Sequence, residues 1–277
     1  MNYRHAFHVG NHADVLKHAA LVLCLQELVR KPGALAVLDT HAGRGLYDLE
    51  AEEARRSPEW REGVAPVWEW EAPPPSLAPY RAALAQANPI PGALRWYPGS
   101  PLLAASLLRP QDRLVLCELH PQEAAALRRA APATAQVHER DGFAAFTALL
   151  PPGQSRGLVL LDPAYEQRED WARSVAAMRE GLRRFRQGVY LWWRPLKEPA
   201  LVDAADAELA QSLPALRGLR LDLRVRAAAA PGMGASSLLV VNPPFGAAGM
   251  LREAAEALAQ RLGQGGAHAE TRVVGAL

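Results

Sequence analysis

Cysteine is almost absent from the sequence, which holds only two in 277 residues. Cys24 and Cys117 each lie inside an apolar run, where a cysteine usually serves as a small core residue. The sequence therefore argues against a disulfide framework and against a cysteine-based redox site.

Long hydrophobic runs are also missing. No uninterrupted apolar stretch reaches the roughly 18 residues that a membrane-spanning helix needs. Residues 1–5 do not show the charged-then-apolar order of a signal peptide. We therefore expect a soluble, cytoplasmic protein with no membrane partner.

A strong net charge is absent too, since 31 lysines and arginines face 29 acidic residues and leave a formal charge of +2. This balance neither indicates nor excludes a nucleic-acid partner. Lysine occurs only at Lys17, Lys31 and Lys197, so arginine carries nearly all the positive charge. Its forked guanidinium binds phosphate well, but a general bias toward arginine explains the composition equally.

Apolar runs alternate with helical patterns along the chain. The runs that we interpret as buried strands cover 34–38, 114–118, 135–138, 157–161, 189–193, 219–225 and 238–241. Helical patterns separate most of them, including one that Asn11 can cap and others over 121–131 and 171–186. The alternation predicts an α/β fold with a seven-stranded, mostly parallel, doubly wound sheet.

The segment 47–99 interrupts this alternation. It is rich in Glu, Trp, Ala and Pro and contains no convincing parallel strand. We interpret it as an inserted small helical subdomain, with 1–46 and 100–277 forming the main domain. The insertion either contributes substrate specificity or merely decorates the fold.

Polar groups follow four of the predicted strands in order: a glycine-containing turn at 39–45, then Glu118, Asp141 and Asp162. In a doubly wound sheet such strand ends converge on one crevice. Glu118 suits the two hydroxyls of a ribose, and Asp141 suits an adenine amino group. Neither G-x-G-x-x-G nor a P-loop pattern is present, which argues against a nicotinamide-dependent oxidoreductase. The set points to an adenosine cofactor without phosphate, S-adenosyl-L-methionine.

The run from Leu160 to Tyr165 ends a buried strand with an acid, a proline and an aromatic residue. An aspartate can accept a hydrogen bond from one N–H of an exocyclic amine, and the carbonyl of the proline can accept a hydrogen bond from the other N–H. A tyrosine can stack on a flat base. We therefore predict that Asp162, Pro163 and Tyr165 are the catalytic residues of an enzyme acting on the amino group of a nucleobase.

Five stretches of the chain resemble the RlmJ family: 3–18 (YRHAFHVGNHADVLKH), 38–43 (LDTHAG), 97–101 (YPGSP), 118–121 (ELHP) and 242–244 (NPP). The resemblance implies a Rossmann-like class I methyltransferase domain with an inserted helical subdomain. It also implies methylation, by S-adenosyl-L-methionine, of the N6 atom of one adenine in 23S rRNA, in the course of ribosome biogenesis.

The resemblance further implies a set of site residues. Those expected to contact the cofactor are His18, His41, Ser100, Glu118, Asp141, Gly142 and Asp162, with Lys17 as a further candidate. Tyr3 is expected near the substrate base. We expect a monomer.

The catalytic run departs from the usual pattern of amino-methyltransferases, Asp/Asn-Pro-Pro-Tyr/Phe, because Ala164 replaces the second proline. The accepting carbonyl belongs to Pro163, so we expect a competent site in a somewhat more mobile turn. The run 242–245 (NPPF) matches the usual pattern better. Since it follows the last predicted strand, far in the order from Glu118 and Asp141, we expect it to be a structural strand end.

Other interpretations stay open at this point. A noncatalytic RNA-binding relic of the fold is one, and an amino-methyltransferase acting on DNA adenine or protein glutamine is another. His8 and His12 have a metal-binding spacing, but Gly10 and Asn11 interrupt the helix between them, and we expect no metal. Trp192 and Trp193 either line the base pocket or pack in the core.

Overall fold

Helices and strands alternate in the structure, a computed structural model that describes residues 5–213, 215–227, 233–264 and 267–275. The helices are α1 (His12–Val29), α2 (Glu52–Arg56), α3 (Val64–Trp68), α4 (Ala78–Ala87), α5 (Ser100–Ala105), α6 (Pro121–Ala130), α7 (Gly142–Ala148), α8 (Glu169–Arg184), α9 (Pro199–Ser212) and α10 (Ala247–Leu262). The strands are β1 (Ala36–Asp39), β2 (Leu46–Asp48), β3 (Trp96–Pro98), β4 (Arg113–Glu118), β5 (Gln136–Glu139), β6 (Gly157–Leu161), β7 (Val189–Pro195), β8 (Arg217–Arg224), β9 (Ala235–Val241) and β10 (His268–Gly275).

Helix α1 begins at the predicted cap. The backbone of Asn11 is extended, and its side-chain oxygen accepts the N–H groups of Ala13 and Asp14 at 3.0 and 3.1 Å. These bonds satisfy donors that the first turn of a helix leaves unpaired. Most of α1 is buried, which fixes its polar side chains against the sheet.

The main sheet has eight strands in the order β10-β8-β9-β7-β6-β1-β4-β5. The neighbours β5, β4, β1, β6 and β7 are parallel, whereas β9 and β10 run antiparallel to their neighbours. The predicted α/β class and mostly parallel sheet are thus confirmed, and the predicted count of seven strands is wrong. The additional strand, β10, lies at the sheet edge with mostly exposed or half-buried polar residues, so it has no apolar run to announce it.

Strand β1 lies at the centre of the parallel region, between β4 and β6. From β1 the chain adds β4 and β5 on one side of the sheet and then β6 and β7 on the other. Strands β1 and β6 are buried along their whole length. The point where the strand order reverses therefore lies between them, and a ligand crevice is expected at their carboxyl ends.

The segment between β2 and β3 is mainly helical. These two strands pair antiparallel, Leu46 opposite Pro98, and so close the segment at its base. Its apolar side chains, such as Val64 and Leu84, belong to the same hydrophobic cluster as α1 and α10. The division of the chain at 47–99 stays a prediction.

No helix within the described ranges is both long and apolar enough to cross a membrane.

Candidate functional site

A cleft of about 690 Å³ opens at the carboxyl edge of the parallel strands. The predicted site residues that line it are Lys17, His18, His41, Ser100, Glu118, Asp141, Gly142, Asp162, Pro163 and Tyr165. Tyr3 lies outside the described residues. The structure therefore brings together, from six separate regions of the chain, the predicted residues that it describes.

Glu118, at the end of β4, has a carboxylate held by the backbone. Its Oε2 accepts the N–H of Gly43 at 2.9 Å, and its Oε1 accepts the N–H of His120 at 2.8 Å. Burial raises the pKa of Glu118, while these two hydrogen bonds oppose the rise. The two backbone hydrogen bonds orient the carboxylate. Each oxygen keeps a second lone pair, so the carboxylate can still accept hydrogen bonds from hydroxyl groups.

Asp141 and Gly142 follow β5 and begin α7. Asp141 caps this helix by accepting the N–H of Phe143 at 3.0 Å, and its other oxygen pairs with Arg173 at 2.5 Å. At Gly142 a Cβ atom would lie only 1.9 Å from the carbonyl oxygen of Thr40, so this position needs glycine. No sequence motif marks Arg173, because its approach to Asp141 depends on how α8 packs.

Lys17, on α1, connects Asp162, after β6, with the N-terminal region. Its Nζ donates to Asp162 and, at 2.9 Å, to Asp14 Oδ1, and its side chain is buried. Burial opposes the charge on Lys17, but the two carboxylates outweigh burial and raise its pKa above the ordinary range. Lys17 is therefore a buried ammonium held between two carboxylates.

Asp14 is not among the site residues that the sequence predicts. It is buried and accepts hydrogen bonds from the N–H of Gly10 and from His5, both at 2.8 Å, besides the one from Lys17. Burial alone would raise its pKa, but the interactions with His5 and Lys17 hold it well below the usual value. Asp14, near the start of α1, thus connects His5, Gly10 and Lys17 in a buried charged cluster below the cleft.

Tyr165 adopts an uncommon backbone conformation for a non-glycine residue, with φ of 51°. Its hydroxyl accepts the indole N–H of Trp192 at 2.7 Å and donates to the carbonyl of Trp193 at 3.1 Å. Its ring packs against Trp171 with the centroids 4.8 Å apart. Trp192 is wholly buried and Trp193 lines the cleft, so the two tryptophans divide between core and pocket.

His18 starts a chain of buried hydrogen bonds into the segment between β2 and β3. Its Nδ1 lies 2.7 Å from the hydroxyl of Tyr97 on β3, and that hydroxyl lies 3.1 Å from the hydroxyl of Tyr80 on α4. Burial, with the charge of Lys17, lowers the pKa of His18 well below its ordinary value. Burial also lowers the pKa of His41 to about 4, so both imidazoles are neutral at pH 7.

The cleft is more acidic than basic. Of the described residues that line it, nine are aspartate or glutamate and four are lysine or arginine. With His18 and His41 neutral, the carboxylates outnumber the cations. Such a cleft attracts a cationic ligand more than a pyrophosphate.

The run 242–245 lies at the end of the sheet opposite the cleft, where the parallel strands begin. Strand β9 is antiparallel to β7, with Tyr190 opposite Val241, so β9 ends where the parallel strands begin. The side chain of Asn242 donates to the carbonyls of Arg186 and Gly188 at 2.9 and 2.8 Å, and Phe245 is 98% exposed. This better match to the usual pattern is a strand end outside the cleft.

His8 and His12 have different surroundings. His8 Nδ1 lies 2.8 Å from a carboxylate oxygen of Glu59, and burial lowers the pKa of His12 to about 4. In the part of the chain that the structure describes, no group of three or more His, Cys, Asp or Glu side chains is placed to hold a metal ion.

Comparisons with known proteins assign the chain to a family. The family model described as ribosomal RNA large subunit methyltransferase D, RlmJ, matches residues 32–274. Proteins called ribosomal RNA large subunit methyltransferase J, from Escherichia coli K12 and Haemophilus influenzae, are 40% and 39% identical to the chain, each covering 88% of both sequences. A crystal structure of a protein from Legionella pneumophila superposes with a TM-score of 0.89 and 32% identity, over 96% of this chain and 98% of that one. The resemblance noted in the sequence is confirmed, and the chain belongs to the RlmJ family of ribosomal RNA large subunit methyltransferases.

Proposed function

We propose that the protein transfers a methyl group from S-adenosyl-L-methionine to the exocyclic N6 amine of one adenine in 23S rRNA, the nucleotide equivalent to adenine 2030. Family membership supports methylation of ribosomal RNA. The observation that carries the chemistry is the position of Asp162, Pro163 and Tyr165 at the end of β6, on the wall of the cleft. We expect the protein to act in the cytoplasm, as a monomer and without a metal ion.

The cleft fits S-adenosyl-L-methionine on three grounds. Its volume of about 690 Å³ suits a ligand of this size. Its excess of carboxylates favours a cofactor that carries a sulfonium and an ammonium group. The carboxylate of Asp141 caps α7 and would repel a phosphate group at that helix end.

The residues of the cleft divide the cofactor between them. Glu118 would accept the two ribose hydroxyls, because backbone N–H groups already orient its carboxylate. Asp141 would accept the adenine amino group beside Gly142. The residues left for the remainder of the cofactor are Lys17, His18, His41, Ser100 and Asp162. When bound, S-adenosyl-L-methionine supplies a methyl group on a positively charged sulfur.

The catalytic residues would act on the adenine amine. Its nitrogen lone pair is delocalised into the ring and must be freed before the nitrogen can attack. Asp162 would accept a hydrogen bond from one N–H of the amine, and the carbonyl of Pro163 would accept a hydrogen bond from the other. These two hydrogen bonds raise the electron density on the nitrogen. Tyr165 stacks on the ring and aligns it, while the ammonium of Lys17 holds the carboxylate of Asp162 in place. The target base must be outside its helical stack, in a loop or flipped out.

The test is the variant Asp162→Ala. We expect it to abolish methyl transfer to 23S rRNA, measured with labelled cofactor, and to weaken cofactor binding, measured by calorimetry, without eliminating it. Glu253→Ala is the matched control, since this acid is exposed on α10, away from the cleft. Unchanged turnover in Asp162→Ala would refute the assignment of the catalytic residue.

The substrate needs its own experiment. Mass spectrometry should show N6-methyladenine at one position of 23S rRNA in cells with the gene and its loss in cells without it. An unchanged map would refute the substrate, and methylation of DNA adenine or protein glutamine by the purified protein would identify the alternative amino-methyltransferase.

A noncatalytic relic of the fold is the second candidate, because Ala164 stands where the usual pattern has proline. Binding of S-adenosyl-L-methionine without turnover on any RNA would favour it. Measurable turnover on 23S rRNA excludes it.

A further inference from the structure

Trp192 is a core residue of β7 that reaches the catalytic run. Its side chain is wholly buried, yet its indole N–H donates to the hydroxyl of Tyr165 at 2.7 Å. The sheet register explains this approach, because Trp192 lies opposite Leu161, the last residue of β6 before Asp162. A buried side chain of β7 is thus hydrogen bonded to the loop that carries the catalytic acid.

The loop needs such support for two reasons. Ala164 stands where a second proline would restrict the backbone, so the unbound loop has more conformations to lose. Tyr165 has a φ of 51°, a left-handed conformation that side chains other than glycine adopt at a cost. Contacts outside the loop must therefore hold Tyr165 in place.

The indole of Trp192 is itself firmly held. The guanidinium of Arg194 lies 4.8 Å from the centre of its ring. Arg194 is fully buried and pairs with Asp206, and it donates to the hydroxyl of Ser237 at 3.0 Å. Because these partners lie on α9 and β9, the donor that Trp192 offers to Tyr165 has little freedom to move.

We propose that Trp192 is a positioning residue of the methyltransferase, whose hydrogen bond to Tyr165 replaces the rigidity that the missing second proline would give. The proposal rests on the proposed function, in which Tyr165 stacks on the target adenine. Trp192 touches neither the base nor the cofactor and acts only through Tyr165. The hydroxyl of Tyr165 also donates to the backbone carbonyl of Trp193 at 3.1 Å, so both of these hydrogen bonds are to β7.

The test compares Trp192→Phe, Ala164→Pro and the double variant. Phenylalanine keeps an aromatic ring in the core and removes the indole N–H. We expect Trp192→Phe to increase hydrogen exchange in a peptide covering 162–168 and to lower kcat/KM for RNA about three- to ten-fold, the range of one neutral hydrogen bond. The cofactor Kd should stay within about two-fold, since the loss lies in the loop.

The double variant separates positioning from simple packing. Ala164→Pro should restore slow exchange and bring kcat/KM back to within about two-fold of the parent, because it stiffens the same loop by another route. A loss of core packing at Trp192 would not be repaired from the loop. If Ala164→Pro does not restore slow exchange and kcat/KM in the double variant, the proposal is refuted. It is also refuted if Trp192→Phe shows the same hydrogen exchange in 162–168 as the wild type.

Two further measurements keep the test decisive. Trp60→Phe is the matched control, because the buried indole nitrogen of Trp60 has no hydrogen-bond partner among the described residues, and it should leave exchange in 162–168 unchanged. If Trp192→Phe does not fold, Tyr165→Phe removes the same bond from the loop side, together with the bond to the carbonyl of Trp193, and must raise exchange in 162–168. Hydrogen exchange is measured without cofactor or RNA, so its result does not depend on whether the protein is active. An inactive parent protein would refute the proposed function, and the exchange measurement would still decide whether Trp192 positions Tyr165.

Discussion

Replacing Lys17 by methionine should destabilise the protein by about 3–5 kcal/mol at pH 7. Lys17 is 4% exposed, and its ammonium pairs with Asp162 and with Asp14, which is 2% exposed. Methionine fills much of the same space but leaves the buried carboxylate of Asp14 without the ammonium of Lys17. For 277 residues, an unfolding entropy of about 0.6 kcal/mol per degree converts this loss into a Tm lower by about 5–9 °C.

The pH dependence gives the prediction its sign. The pKa of Asp14 is held below its ordinary value of 3.8, so its stabilisation is full above that value and is lost as pH falls through the lower, folded-state pKa. The pKa of Lys17 is raised above 10.5, so its contribution is full below that value and is lost as pH rises through the folded-state pKa. In Lys17→Met the pKa of Asp14 rises, and the deficit relative to wild type should shrink between pH 7 and pH 5.

The assay is urea unfolding followed by circular dichroism at pH 5 and pH 7, without ligand. Lys31→Met is the matched control, because Lys31 is exposed and should change the free energy of unfolding by less than about 0.5 kcal/mol. A loss below about 1 kcal/mol in Lys17→Met, or a deficit that grows toward pH 5, would refute the reasoning about the buried charges.

Two further predictions concern the turns around the cleft. Gly142→Ala should lower the free energy of unfolding by about 1–3 kcal/mol and weaken cofactor binding, because its Cβ would meet the carbonyl oxygen of Thr40. Gly249→Ala is the control and should not destabilise the protein, because a Cβ at this position on α10 would lie in open space. Thermal unfolding measures the stability of both variants, and calorimetry measures their cofactor binding. Burial raises the pKa of Asp39 from 3.8 to about 7, so its ionised form opposes folding as pH rises through this range. Asp39→Asn should therefore stabilise the protein at pH 8 by up to about 4 kcal/mol and give little gain near pH 4, and equal gains at both values would contradict this.

The parallel core of the fold could be predicted because its strands are buried on both faces. The run Gly157–Leu161 is apolar throughout, and its observed bounds agree with the expected ones. Strand β10 could not be predicted in this way, since an edge strand with polar, exposed residues resembles a loop in sequence. Strands β2 and β3, of three residues each, are too short to give a periodic signal.

The candidate site shows the same division between local and distant information. Glu118, Asp141 and Asp162 could be found because each lies at or just after the end of a strand, and the carboxyl ends of parallel strands share one side of the sheet. The pairing of Lys17 with Asp162 joins residues 145 positions apart, so only the packing of α1 across the sheet reveals it. The pairing of Asp141 with Arg173 depends in the same way on the direction of α8.

The hydrogen-bond chain from His18 through Tyr97 to Tyr80 has a consequence for how the segment between β2 and β3 docks. Apolar contacts alone would tolerate a slide of α4 along α1 by a fraction of a turn. Such a slide would separate the buried hydroxyl of Tyr80 from its partner Tyr97, at a cost of about 1–3 kcal/mol. The segment is therefore held in one orientation, and the surface that it presents beside the cleft lies at a defined distance from Asp162.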